Sequence, residues 1–377
     1  MKRKLSIFIN SLDGGGAERV VNNLLNVWVK EYDCYLILIH NYKFYEIDSK
    51  VKIISLDEPK ELSGFAKFLR LPILAYKLSK ITKEYKFDKI VSFLTRANYI
   101  NVLSNIFTKH QTIINERAMP SLQYQYGLNG IINRFLIKSL YPKADLCLSN
   151  SHGNMMDLKN NFNVTKLKDI HNPFDLDVIE KMSKEEIEIE KKRFTFVTIG
   201  RLDHGKNHKL IINAIKDMDA NLWIIGDGEL RNNLKLKIEN LELSDKVILL
   251  GKQSNPYKYL NQADCFIFAS NHEGFPNVLV EALACGLPVI STDCQSGPRE
   301  ILAPNSDIEF QLKDNIELAE YGILSPVKNV NKLQEAMNLM INNEDLRKNY
   351  QEKAKLRAND FKIEKIIKQY EEVLCVE

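Results

Sequence analysis

Residues 273–291 constrain the fold more than any other stretch. Glu273-Gly-Phe reads as a loop, Pro276 to Cys285 as a short helix, Gly286 with Pro288 as a stop, and Val289-Ile-Ser291 as a strand. Pro276 suits a first helical position, where its missing N–H would be orphaned in any case, and a glycine followed by proline ends a helix. Helices alternating with apolar strands in this way build a parallel sheet layered with helices.

The same stretch carries chemistry. The N–H groups of Phe275, Asn277 and Val278 would point out of the helix start, where the macrodipole favours an anion such as a phosphate. Glu273 stands directly before that position, and Glu281 lies further in, roughly 7 to 8 Å along the axis. A nucleotide diphosphate-sugar spans such a gap, with sugar and diphosphate near Glu273 and ribose hydroxyls at Glu281. Two glutamates alone also suit a solvated loop and a structural contact, because short motifs recur by chance.

With 377 residues, 45% hydrophobic and 27% charged, the chain is long enough for two domains with separate cores. A net charge of +3 is too small to imply a nucleic-acid protein, which needs a concentrated basic face, so any basic function must be local. Cys34, Cys147, Cys265, Cys285, Cys294 and Cys375 show no metal-ligand spacing and read as buried reduced thiols. The basic start at Lys2-Arg3-Lys4 precedes an apolar run too short for a signal peptide, and no stretch reaches the ~18 apolar residues of a membrane span.

In chain order, a strand at 5–10 runs into Asp13-Gly14-Gly15-Gly16-Ala17-Glu18-Arg19 and an amphipathic helix, a turn that lets backbone approach a ligand. Strands follow at 35–40 and 52–56. Between Glu61 and Lys86, apolar residues recur at helical spacing beside Lys67, Arg70, Lys77, Lys80 and Lys83, with Pro72 dividing two helices. This segment suits an ordinary helix with a solvated lysine face, or a cationic surface that rests on anionic lipid and holds a lipid pyrophosphate. Strands at 87–94 and 111–115 come next, the second ending at Glu116-Arg117. Glu116 suits an acceptor ligand or base, or a salt bridge with Arg117. A strand at 145–151 closes the first domain, and the charged run 180–193 reads as a solvated connector.

The second half repeats the pattern. A strand at 194–200 leads into Arg201-Leu202-Asp203-His204-Gly205-Lys206-Asn207-His208, where Arg201 and Lys206 can converge on a diphosphate and stabilise a leaving group without metal. His204 and His208 read as loop residues. Strands at 221–225 and 247–250 follow, the latter reaching Gly251, and then the strand at 265–270 that delivers Glu273. Ser296-Gly-Pro-Arg-Glu300 borders the same region, and 344–376 reads as one amphipathic helical segment.

These motifs resemble the family 4 retaining glycosyltransferases, through Glu-Gly-Phe-Pro with a second glutamate eight positions on, Gly-Arg-Leu-Asp-x-x-Lys-Asn and Gly-Gly-Ala-Glu-Arg. The resemblance spans nearly the whole chain. It implies an α/β GT-B fold, two Rossmann-like parallel-sheet domains facing across a cleft: an acceptor domain at 1–172, a nucleotide-sugar domain at 173–355, and a helix at 356–377 returning to the first domain. It implies catalytic roles for Glu273, Arg201 and Lys206. Donor contacts are implied for Gly15, Gly16, Gly251 (to the base), Phe275, Pro276, Asn277, Val278 and Glu281, with Glu116 where relatives place a histidine. Lys67, Arg70, Lys77 and Lys80 would hold the lipid pyrophosphate.

At finer grain, Tyr-Pro-Lys-Ala-Asp-Leu, Asn-Pro-Tyr-Lys-Tyr and Ser-Gly-x-Arg-Glu are similar to the N-acetylgalactosaminyltransferases of bacterial N-glycan assembly. Implied there are UDP-GalNAc as donor, an undecaprenyl-diphosphate-linked GalNAc-diNAcBac acceptor, no metal cofactor, and a peripheral place on the anionic cytoplasmic face of the inner membrane. The rival readings are a transferase of the same fold using another UDP-sugar for a surface polysaccharide, and a non-catalytic membrane adaptor.

Overall fold

The computed structural model describes residues 2–13, 15–42, 46–59, 61–189 and 191–374. Gly14, Cys375 and the last residue of the expected C-terminal helix, Val376, lie outside them. The chain divides into two compact units, Met1–Pro173 with Ile366–Glu377, and Phe174–Lys365.

The first unit is built on seven strands: β1 (Lys4–Ile9), β2 (Asp33–Leu38), β3 (Lys52–Ser55), β4 (Lys89–Phe93), β5 (Gln111–Glu116), β6 (Leu146–Ser149) and β7 (Leu167–Asp169). They lie in the order β3-β2-β1-β4-β5-β6-β7 and all pair in parallel. Central strands such as β1 and β4 are near-continuous apolar runs because helices cover both faces of the sheet. The strand at 145–151 is therefore not the last of this unit. β7 is only three half-buried residues and leaves almost no apolar signal.

The second unit repeats the plan with β8 (Phe194–Ile199), β9 (Ala220–Ile225), β10 (Val247–Gly251), β11 (Cys265–Phe268), β12 (Val289–Thr292), β13 (Glu317–Ala319) and β14 (Gly322–Ser325), in the order β10-β9-β8-β11-β12-β14-β13. Only the edge strand β13 runs antiparallel. Both units thus reverse strand order beside their first strand, the doubly-wound arrangement in which ligands sit beyond the carboxyl ends of the strands.

Three boundaries differ from the sequence reading. The segment 180–193 is not an interdomain connector: the crossover is at Pro173, Asp175 caps the helix Leu176–Ser183, and Ile187 and Ile189 pack on the core of the second unit. The second unit extends past 355 to Lys365, because the helix Glu344–Ala358 lies on the helix Asn277–Ala284 and Arg357 donates to the carbonyls of Glu300 and Ile301. The C-terminal helical segment is also broken, by a single 3-10 turn at Asn359–Phe361, before the helix Ile363–Leu374. Cys34, Cys147, Cys265 and Cys294 are buried free thiols, and Cys285 is half-buried.

Candidate functional site

In the second unit the strand order reverses between β8 and β11, so the loops leaving these two strands are neighbours. This brings together Lys206 and Glu273, 67 residues apart in sequence, as an ion pair of 2.5 Å. The ammonium also stands 5.3 Å from the ring centre of Phe268, at the end of β11. The loops are tied through their backbones as well: Asn271 N–H donates to the Gly205 carbonyl at 2.8 Å, and its side-chain amide donates to the His204 carbonyl at 2.9 Å.

Asp203 shapes the cationic loop. Its carboxylate accepts from the Lys206 amide at 3.0 Å and from Arg201 Nε at 2.6 Å. Burial would raise this carboxyl, but the amide and the guanidinium hold it below its ordinary value. Arg201 itself is mostly solvent-exposed, so the two expected cations differ: Lys206 is set half-buried on Glu273, whereas Arg201 is paired through its guanidinium Nε with Asp203.

Two glycines make this loop fit. Gly226 has φ +141°, and a Cβ there would meet the Gly200 carbonyl oxygen at 2.0 Å; one on Gly228 would meet the Leu202 carbonyl oxygen at 2.6 Å. Backbone lies directly on backbone, which only glycine permits. Gly251, at φ +72°, offers its carbonyl to the Gly226 N–H at 2.8 Å, which ties the end of β10 to the turn after β9.

The helix Asn277–Ala284 starts one residue later than expected: Pro276 is its N-cap, not its first helical residue, and has no side-chain oxygen to cap the first turn. Among the described residues, other helices have a Ser, Asp or Asn side-chain cap, at Ser63, Ser151, Asp175, Asn329 and Asn343. Phe275 is buried against Phe361, with rings 5.5 Å apart, while Asn277 and Val278 are half-exposed at the helix start. Glu281 is buried on the fifth helical residue.

Behind this helix start, Asp293 and Arg299 form a buried bidentate pair, with Nη2–Oδ2 at 2.8 Å and Nε–Oδ1 at 3.2 Å. Arg299 also holds Glu317 at 2.8 Å, and Asp293 accepts from the Leu312 amide. The sequence carried no signal for this clamp beyond the Arg-Glu after Ser-Gly-Pro.

His208 is not a loop residue. It opens the helix His208–Ala214 and is buried, and burial, with Lys206 beside it, pushes its imidazole down to about 4. Unfolded, the ring titrates near its ordinary value of about 6.5, so as pH falls from there toward 4 the unfolded chain binds a proton that the folded one refuses. Stability is then lost by about 3 kcal/mol. His110, buried in the first unit and also pushed down to about 4, acts in the same direction. Urea titrations at pH 7 and pH 4.5 should show the loss, and His208→Leu should remove roughly half of the histidine contribution.

In the first unit, the helix Gly16–Trp28 is capped by Gly15, whose Cβ would fall 2.4 Å from the Glu18 carboxylate. Glu116, at the end of β5, is turned inward. Its carboxylate accepts from Tyr141 Oη at 2.5 Å, Thr95 Oγ1 at 3.2 Å and the Arg117 amide at 2.9 Å, and it is 1% exposed. Burial raises this carboxyl. The Arg117 salt bridge does not match this geometry: Arg117 reaches instead to Asn115, Asn172 and Tyr370.

The basic helices divide as Pro72 suggests, into Gly64–Leu69 and Leu71–Tyr85. Two of their cations, Arg70 and Lys77, are tied to the neighbouring loop. Buried Glu58 pairs with Arg96 and accepts from Arg70 Nε at 2.9 Å, Arg96 donates to the Lys67 carbonyl at 3.0 Å, and Lys77 donates to the Leu56 carbonyl at 2.9 Å. Lys80 stands over the Tyr76 ring. Arg70 and Lys77 thus fasten the helices to the loop after β3, where the sequence reading had them on a pyrophosphate.

The profile described as "Glycosyl transferases group 1" matches residues 180–357. The chain is 40% identical over 366 residues, 95% of itself and 96% of the relative, to the N-acetylgalactosamine-N,N'-diacetylbacillosaminyl-diphospho-undecaprenol 4-alpha-N-acetylgalactosaminyltransferase of Campylobacter jejuni. It belongs to the group 1 glycosyl transferases. A second Campylobacter jejuni glycosyltransferase, named for alpha-1,4-N-acetyl-D-galactosaminyl transfer to GalNAc-alpha-(1->4)-GalNAc-alpha-(1->3)-diNAcBac-PP-undecaprenol, is 30% identical over 96% of both chains. Among solved structures, sucrose-phosphate synthase from Thermosynechococcus elongatus superposes with a TM-score of 0.83 at 15% identity, over 99% of this chain and 98% of that one. Anabaena HepE in complex with UDP does so with a TM-score of 0.76 at 17% identity, over the full length of both. The glycosyltransferase therefore has the GT-B fold of two Rossmann-like units, and the matched profile covers most of the unit that holds Lys206 and Glu273.

Proposed function

We propose that this glycosyltransferase moves N-acetylgalactosamine from UDP-GalNAc, with retention of configuration, to a polyprenyl-diphosphate-linked oligosaccharide in N-glycan assembly. The observation that carries the reading is the Lys206–Glu273 pair at the switch point of the second sheet. The transferred sugar and the acceptor class are those in the name of the Campylobacter relative at 40% identity, and UDP is bound in the HepE neighbour.

In this reading Lys206 leaves Glu273 for the donor diphosphate, Arg201 swings in beside it, and the start of the helix Asn277–Ala284 completes the charge cradle, so that UDP departs without a metal ion. Glu273 is then released to orient the sugar hydroxyls, Glu281 takes the ribose, and the acceptor hydroxyl attacks from the face UDP leaves. The test is UDP release by the purified chain from UDP-GalNAc, UDP-GlcNAc and UDP-Glc, with EDTA, with and without a polyprenyl-diphosphate-linked amino-sugar acceptor. Acceptor-dependent release from UDP-GalNAc alone is expected. Glu273→Ala should lower kcat by about 100-fold with little change in UDP affinity, and Glu281→Ala should weaken UDP binding by at least about 10-fold. If neither variant changes transfer, these roles are wrong.

The acceptor places the enzyme at a bilayer, and the first unit has a surface suited to one. No described helix is long and apolar enough to cross a membrane. Yet Tyr126, Leu128, Ile131 and Phe135 on and before the helix Gly127–Leu140 are 66% to 85% exposed. The helix Thr95–Ser104 packs against this helix and against Leu71–Tyr85, which exposes Ile73 and Tyr76. Between Asp88 and Asp145 the only acidic residue is Glu116, which is buried, while Lys109, Arg134 and Lys138 are exposed. Apolar bulk ringed by cations is the composition that rests on anionic lipid. Co-sedimentation with phosphatidylglycerol vesicles should fall about 10-fold for the double change Ile131→Glu with Phe135→Glu. Unchanged binding would remove this surface from the proposal.

A further inference from the structure

We propose that Ser296, with Gly297, is a positioning residue that aims the start of the helix Asn277–Ala284 at the donor diphosphate; this rests on the transferase reading above. The Ser296 hydroxyl donates to the Gly274 carbonyl at 2.6 Å. That carbonyl and the Phe275 N–H belong to one planar trans peptide and point in opposite directions, so fixing the first fixes the second. Gly297 presses on the next residue: a Cβ there would meet Pro276 Cδ at 2.3 Å and Phe275 Cα at 3.2 Å.

The turn is held in a conformation it would not adopt alone. Ser296 has φ +67° and Gly297 φ +96°, so two successive residues are left-handed and one of them is not glycine. A non-glycine residue stays in that region where its surroundings over-determine it. Here the surroundings are the Asp293–Arg299 clamp, which closes the base of the loop, and the hydrogen bond to Gly274, which fixes its tip. The brace therefore connects a buried ion pair to the backbone that lies between Glu273 and the helix.

An aimed amide stabilises charge on the leaving diphosphate without reorganising as the bond breaks. Losing the aim costs turnover more than ground-state binding. In the full chain, Ser296→Ala is expected to lower kcat by about 10- to 100-fold while KM for the donor changes less than about threefold. Ser296→Gly should show the same loss although it relieves the backbone strain and keeps or raises Tm. Ser296→Asn, which tolerates the left-handed region and carries an N–H donor, should recover most of the activity. Hydrogen exchange of the Phe275, Asn277 and Val278 amides, read by mass spectrometry, should quicken in the Ala and Gly variants. Wild-type kcat and exchange in Ser296→Gly would overturn the proposal. If the unmodified chain releases no UDP from any donor, the transferase reading fails instead, and the exchange measurement alone decides the brace: quickened exchange supports it and unchanged exchange overturns it.

Discussion

Lys206→Ala should lower kcat/KM for sugar transfer by about 1,000-fold, a larger loss than any other single change in the second unit. Lys206 is fixed at the switch point, between the Glu273 carboxylate and the Phe268 ring, and it reaches that place because the loops leaving β8 and β11 are neighbours. Removing it withdraws positive charge from the departing diphosphate and leaves Glu273 a carboxylate without its cation. Lys206→Arg should recover little, because a compact ammonium is replaced by a wide planar fork in a half-buried space. Steady-state kinetics with UDP affinity measured alongside would separate the two losses. A kcat/KM within tenfold of the unmodified enzyme would take the leaving-group charge away from Lys206.

The largest loss of stability should come from Asp293→Ala, about 3 to 5 kcal/mol by urea denaturation. The change leaves the Arg299 guanidinium, 4% exposed on its side chain, without its bidentate partner and leaves the Leu312 amide without an acceptor. Glu317 and Phe310 remain beside Arg299 and keep the loss from being larger. Arg299→Met in the Asp293→Ala background should restore part of it, since the charge that suffers from burial is then gone. By contrast, Lys348→Ala on the exposed face of the helix Glu344–Ala358 should leave the denaturation midpoint unchanged, because its pair with Glu344 is open to solvent.

The two sheets were readable because their strands are buried on both faces and so appear as apolar runs, from the Phe-Thr-Phe-Val-Thr-Ile of β8 to the Val-Ile-Ser-Thr of β12. The loop that holds Lys206 was readable for the same reason: it follows such a run and leads into a helix. β7 and β13 are three residues each and carry no such pattern. The role of Arg70 was not readable because charge on an amphipathic helix looks solvated, whereas its partner Glu58 lies 12 residues earlier in a loop. Nothing local could reveal that; the Ser-Gly-Pro-Arg-Glu run marks the neighbourhood of Ser296, but not its backbone angle or the carbonyl 22 residues earlier that takes its hydroxyl. His208 could have been suspected, since it opens a helix whose next apolar residues face the core.

The chain crosses between units twice, at Pro173 and again at Lys365, and its last residues complete the first unit. Tyr370 meets the Trp28 ring and takes the Asn115 amide at 3.0 Å, and Lys89 donates to the Leu374 carbonyl. A ribosome makes the protein from the amino end, so the helix Ile363–Leu374 follows the whole second unit. The seven-stranded sheet made first must therefore wait, with Asn115 and Trp28 unsealed, until the whole second unit has been synthesised. The order of synthesis thus makes completion of the first unit a report that the second unit has been made.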